Sequence, residues 1–164
     1  MRDEIIIRQA TMADFRETMT LAWDTFMKFE AIDYGAEGVE NFRAFLSDPM
    51  LKRMFLFGTY HIYVATYSDK IVGMISLRNK NHISLLFVDE KYHRQGIGRR
   101  LIDIIGDFSN KEYGKTEMTV NAAPYGLKFY EKIGFVKTSG LISTGGITYT
   151  CMKKQIGEKD GKNF

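Results

Sequence analysis

Residues 85–101 read LLFVDEKYHRQGIGRRL, and they constrain the fold more than any other stretch of the chain. Leu85, Leu86, Phe87 and Val88 form a short apolar run that predicts a buried strand. A polar turn follows, after which Ile97, Leu101, Ile104 and Ile105 recur at helical spacing. Strand, glycine-bearing turn and helix start together form a cradle for a phosphate group. The first N–H groups of a helix lack intrahelical acceptors and stand at the positive end of its dipole. Gly96 and Gly98 let a ligand approach that backbone without meeting a Cβ. The turn matches neither G-x-G-x-x-G nor G-x-x-x-x-G-K-S/T, so by itself it does not name a ligand.

A second stretch narrows the reading. Asn121-Ala122-Ala123-Pro124-Tyr125 begins 25 residues after Gly96 and leads into Phe129-Tyr130-Glu131-Lys132-Ile133-Gly134-Phe135. Together the two stretches resemble the GNAT acyltransferases, which move an acetyl group from acetyl-CoA to an amine. The family's pyrophosphate loop reads Q/R-x-x-G-x-G/A, and the matching frame is His93-Arg94-Gln95-Gly96-Ile97-Gly98. His93 stands where Gln or Arg is usual. Backbone N–H groups make most phosphate contacts in such a loop, so this departure implies weaker side-chain help with binding retained. The resemblance covers residues 71–135 well and the flanks loosely. It implies an α/β, GNAT-like acyl-CoA N-acyltransferase fold, with a central mixed, mostly antiparallel sheet, helices on both faces and one splayed parallel strand pair.

At 164 residues the chain has the length of one domain, expected over residues 1–154 with a frayed polar tail over 155–164. A hydrophobic content of 45% with 13% aromatics argues for a packed globule over a disordered chain. Basic residues are scattered apart from Arg94, Arg99 and Arg100, so there is no stripe for nucleic acid. The single Cys151 excludes an internal disulfide, and no Cys/His cluster has metal-ligand spacing, so no metal is expected. Neither a secretory leader core nor a membrane-length apolar run is visible, which leads us to expect a cytoplasmic protein with no membrane partner.

Along the chain, Ile5-Ile6-Ile7 predicts a first strand, and Thr11-Met12-Ala13-Asp14 is a capping box with Asp for Glu. Phe15, Met19, Ala22, Trp23 and Phe26 then mark an amphipathic helix to about Phe29. Val39, Phe42, Phe45 and Leu46 predict a second helix that Asp48-Pro49 stops. Residues 61–67, 71–77 and 82–88 predict three antiparallel strands leading to the phosphate turn. A helix from Gly96 to about Phe108 precedes a strand over 116–120, which should therefore run parallel to the strand over 82–88. Pro124 opens a helix that Gly134 closes. Residues 135–137 and 147–152 predict a last strand pair with a long glycine-bearing connection. Ligands of such sheets favour the carboxyl ends of parallel strands, here beyond Val88 and Val120.

The resemblance assigns roles to individual residues. Phe87 and Val88 lie where the family's strand backbone holds the pantetheine arm. His93, Arg94, Gln95, Gly96, Ile97, Gly98 and Arg99 form the phosphate site, with Asn121 and Tyr125 as further coenzyme contacts. Asn121 read alone is also ordinary turn chemistry at a strand end. Tyr130 falls at the family's sulfur-facing tyrosine, where a phenol still protonated at neutral pH can give its proton to the departing thiolate. Its spacing with Leu127 and Ile133 would otherwise mean core packing. His82 falls where well-studied members place a carboxylate base, and an imidazole can accept the amine's proton there; the alternative is a turn-to-strand residue facing water. Glu30 and Tyr34, in an acidic, glycine-punctuated segment over 30–38, are acceptor contacts by the same resemblance. A negative rim there would suit a cationic amine, whereas by charge alone the segment reads as a solvated loop.

The sequence therefore points to an acetyl-CoA-dependent N-acetyltransferase with a small-molecule or protein amine as acceptor and direct transfer. No nucleophile in the motif region has a partnered base, which fits direct attack. The rival from another class is a CoA-binding regulatory module without turnover. A dinucleotide-binding oxidoreductase is disfavoured by the missing third glycine and the lack of an N-terminal βαβ unit. The resemblance also admits a homodimer, since members often pair through late strands.

Overall fold

A single strand of near-continuous apolar character, Lys70–Arg78, sits at the middle of the molecule and is buried from both faces except at its ends. This is β3 of a computed structural model that describes residues 4–157. Its neighbours are β1 (Ile5–Gln9), β2 (His61–Tyr67), β4 (His82–Val88), β5 (Glu117–Ala122), β6 (Val136–Thr144) and β7 (Ile147–Gln155). Among the described residues these seven strands form one sheet in the order β1-β2-β3-β4-β5-β7-β6. Every neighbouring pair is antiparallel except β4 and β5. A helical crossover, α4 (Ile97–Tyr113), separates these two in sequence, and that is the connection parallel strands require.

Two layers of helix cover the sheet. On one face α1 (Phe15–Phe29), α2 (Ala36–Ser47) and α3 (Pro49–Leu56) bury Phe15, Met19, Phe26, Leu46 and Leu51 against Ile62, Val64, Met74, Leu85 and Phe87. On the other, α4 and α5 (Leu127–Lys132) bury Ile97, Leu101, Ile105, Tyr130 and Ile133 against Val72, Ile75, Leu77 and Met118. The mixed α/β sheet with helices on both faces is thus as expected. The capping box is present too: the Thr11 N–H donates to Asp14 Oδ2 at 2.6 Å, and Arg8 grips the same carboxylate at 2.7 and 3.0 Å.

Three departures from the sequence reading have local causes. Asp48-Pro49 ends α2 and also opens α3, because Asp48 Oδ1 caps the Met50 N–H at 2.9 Å and Pro49 takes the first helical turn. The expected long connection before the last strand is itself β6, joined to β7 by a tight Gly145-Gly146 turn with φ of 58° and 78°. Both glycines adopt the left-handed conformation that such hairpin turns need. Finally, Gln155 belongs to β7, and the Ile156 N–H donates to the Thr116 carbonyl while its side chain packs on Gly106. Gln155 and Ile156 thus belong with the sheet, and residues 158–164 of the expected tail lie outside those described.

The feature that positions a site is the failure of β4 and β5 to stay paired. Their register consists of His82 with Thr119 and Ile83 with Val120 only. Beyond those pairs the strands splay, and the edge of β4 that faces β5 has no strand partner.

Candidate active site

The splay opens into a cleft of about 880 Å³. Its floor is β4, its far end the phosphate turn, and its near side α1, α2 and the β6–β7 hairpin.

The turn gains its shape from two residues in left-handed conformation, Arg94 (φ 64°) and Gly96 (φ 77°). Glycine at 96 is required by this backbone, since a Cβ there would have open space. Gly98 has a different reason: a Cβ would stand 3.1 Å from the Phe129 ring, so the missing side chain lets α5 pack on the start of α4. The Arg100 N–H donates to the Gly96 carbonyl at 3.0 Å, which leaves the N–H groups of Ile97, Gly98 and Arg99 without intrahelical acceptors. No acidic residue occupies that first turn. A seventeen-residue helix therefore directs its positive end into the cleft beside two arginines, an arrangement suited to a pyrophosphate.

His93 explains how the turn tolerates the loss of Gln or Arg. Its Nε2 donates to the Val88 carbonyl at 2.7 Å and so ties the turn to the end of β4. Its ring lies 5.2 Å from Phe29, which in turn stacks on Tyr125 at 5.1 Å. One lone pair of the Val88 carbonyl is thus already engaged by His93. Gln95 is exposed and does not line the cleft, so the structure does not bring it to the other expected coenzyme contacts. Phe87, Val88, Arg94, Ile97, Arg99, Asn121 and Tyr125 do line it.

Tyr130 stands on α5 with 7% of its surface exposed. Phe129 and Phe135 hold its ring edge-on at 5.3 and 5.2 Å. It is both a core residue and a cleft residue: the ring belongs to the interior, while the hydroxyl makes no hydrogen bond among the described residues. Burial, reinforced by the Glu30 charge, raises its pKa well above the usual phenol, so it remains a proton donor at any physiological pH.

Glu30 and Tyr34 reach the cleft from the end of α1 and the turn after it. Tyr34 packs edge-on against Phe26 at 4.9 Å, and burial with the Glu30 and Asp33 charges pushes its phenol up to about 12. Burial, then Asp33, pushes the Glu30 carboxyl up to about 7. Its carboxylate has no hydrogen bond or ion pair among the described residues. The segment forms no negative rim: Asp33 and Glu37 stay outside the cleft, and Glu30 is the one carboxylate among its described lining residues. Four cations, Arg78, Arg94, Arg99 and Lys132, line the same cleft.

His82 also lines the cleft, with Nδ1 2.7 Å from Thr119 Oγ1. Burial and then the neighbouring Arg78 charge pull its pKa down to about 4. Cys151 is on β7 and does not line the cleft. Among the described residues no group of three His, Cys, Asp or Glu side chains is placed to hold a metal ion. No helix among them is long and apolar enough to cross a membrane.

Sequence reasoning missed Arg78, Phe42, Phe45 and Tyr149 as cleft residues. Arg78 had a usable signal, because the β3–β4 hairpin pairs it with His82. The aromatics had none: Phe42 reaches the cleft only because α2 packs it at 4.1 Å on Phe26 and 6.1 Å from Phe87.

Comparison with known proteins bears on this geometry. The profile of the acetyltransferase (GNAT) domain matches residues 30–156. Among solved structures, a GCN5-related N-acetyltransferase from Rhodopseudomonas palustris is 25% identical, with a TM-score of 0.79 over 95% of this chain and 99% of that one. The PaiA N-acetyltransferase of Thermoplasma acidophilum, in complex with coenzyme A, is 20% identical, with a TM-score of 0.78 over 93% and 99%. A GNAT-family acetyltransferase from Staphylococcus aureus is 16% identical, with a TM-score of 0.71 over 94% and 100%. No curated protein matches the chain in sequence.

Proposed function

The chain belongs to the GNAT acetyltransferase family, and from that premise we propose that it transfers the acetyl group of acetyl-CoA directly to a primary amine. The observation that carries the proposal is a convergence within one cleft. A turn suited to a pyrophosphate, an unpaired strand edge and the free hydroxyl of Tyr130 all face the same volume. Acetyl-CoA as substrate would lay its pyrophosphate on the N–H groups of residues 97–99, with Arg94 and Arg99 adding charge. Its pantetheine arm would follow the edge of β4 past Phe87 and Val88, toward Asn121 and Tyr125. A coenzyme A complex of a structural relative agrees with acyl-CoA binding by this fold.

The chemistry needs a neutral amine, and a lysine-like amine has an unperturbed pKa of about 10.4. Glu30 is the group we assign to take its proton. A base works best with a pKa near the working pH, which fits a carboxyl at about 7 and not an imidazole at about 4. His82 then serves as a neutral wall held by Thr119. The amine nitrogen attacks the thioester carbon and the C–N bond forms. The C–S bond breaks as Tyr130 gives its proton to the sulfur, and the proton that the nitrogen sheds on becoming an amide restores the Tyr130 hydroxyl.

A catalytically silent CoA-binding module is the competing reading, and Tyr130 distinguishes the two. Tyr130→Phe keeps the ring and removes the donor, so kcat should fall roughly 100-fold with coenzyme A affinity retained. An unchanged kcat would remove Tyr130 from the mechanism.

A further inference from the structure

Arg78 is the last residue of β3 and pairs across the hairpin with His82, the first residue of β4. It is half-buried and lines the cleft. Its guanidinium makes no hydrogen bond or ion pair among the described residues, in a fold where the comparable Arg8 is gripped by Asp14. It stands beside His82, whose protonation its charge opposes. A half-enclosed guanidinium presents a planar fork of donors whose natural complement is a carboxylate.

The coenzyme's phosphates are not that complement. β4 runs seven residues from Arg78's partner His82 to Val88, next to the phosphate turn, so at about 3.3 Å per step its two ends lie roughly 20 Å apart. Phosphates held by residues 97–99 cannot reach Arg78. The cleft's carboxylate is not the complement either, since Glu30 and Arg78 form no ion pair. Two unpartnered charges of opposite sign therefore face one volume, walled by Phe42, Phe45 and Tyr149.

From this we infer that the acceptor is an amine that also carries a carboxylate, its nitrogen lying toward Glu30 and Tyr130 and its carboxylate on Arg78. The inference rests on the transferase reading for the role of the cleft, and it names the class of acceptor. It turns the charge argument around: a diamine would bring a second cation against Arg78, at the acceptor end of a cleft that already holds more positive than negative side chains.

The test is calorimetry on the full chain saturated with coenzyme A. The probes are 4-aminobutanoate, 1,4-diaminobutane and 4-aminobutan-1-ol, with shorter and longer homologues of each. The aminocarboxylate whose length fits should bind at least about tenfold more tightly than the matching diamine. Arg78→Gln should bring that ratio close to one, and Arg78→Lys, which keeps the charge without the fork, should retain part of it. Coenzyme A affinity, measured first, checks that each variant is folded. A diamine that binds as tightly as the aminocarboxylate, a ratio that survives in Arg78→Gln, or no binding by any homologue would overturn the inference. Arg78-dependent binding without thiol release from acetyl-CoA would contradict the transferase reading, and with it the acceptor role, while confirming a carboxylate site at Arg78.

Discussion

Glu30 and His82 are titratable groups that one cleft drives in opposite directions, both through burial. The consequence is a pH-dependent rate with an assignable limb. If Glu30 is the base, kcat at saturating substrates should decline below about pH 7, and Glu30→Gln should abolish that limb along with most of the rate. His82→Ala should leave the limb in place; a limb near pH 4 that disappears in His82→Ala would return the role to the imidazole. Stability follows the same shift with the sign of a raised acid. The folded state favours the neutral carboxyl, so the penalty is absent below the ordinary value of 4.5 and full above about 7. Glu30→Gln should accordingly be more stable than the parent in urea at about pH 8, by up to about 3 kcal/mol, and equal to it at about pH 4. Equal stability at both would mean that Glu30 is not buried as described. The residues of the phosphate turn and Tyr130 were legible because each belongs to a contiguous motif. The state of Glu30 was not, since its burial arises where the end of α1 meets the cleft in three dimensions.

At the scale of elements, the cleft depends on how a late hairpin meets an early helix. The Gly35 N–H donates to the Gly146 carbonyl at 3.3 Å, and Asn41 Nδ2 donates to the Gly145 carbonyl at 3.1 Å. Gly38 on α2 lies so close that a Cβ there would collide with the Gly146 carbonyl. The four glycines at 35, 38, 145 and 146 look in sequence like two unrelated loops, and their contact is legible only in three dimensions. Gly38→Ala should push the hairpin off α2, costing about 1 to 3 kcal/mol and raising the KM for the acceptor more than that for acetyl-CoA. An unchanged acceptor KM would separate the hairpin from the site. β6 beyond residue 137 escaped recognition for a related reason: as an edge strand exposed on both faces it has no alternation to read. The turn before α4, in contrast, carries its function in its own backbone. Gly96→Glu would place a carboxylate against the pyrophosphate and strain a left-handed residue, so coenzyme A affinity should fall at least about tenfold. Unchanged affinity would mean that the phosphates bind elsewhere.

For the whole molecule, the sheet is what brings distant chemistry together. β3, buried from both sides, fixes β2 and β4, and β4 parts from β5 after two residue pairs. The parallel pairing was foreseeable from the helix between the strands, whereas the point at which it stops is set by packing across the sheet. That point brings the phosphate turn, Tyr130 and Glu30 to one cleft. The most direct test is free thiol released from acetyl-CoA in the presence of a panel of primary amines, aminocarboxylates among them. The account predicts amine-dependent release that saturates in both substrates and yields the acetylated amine. Tight coenzyme A binding with no amine-dependent release across the panel would contradict it.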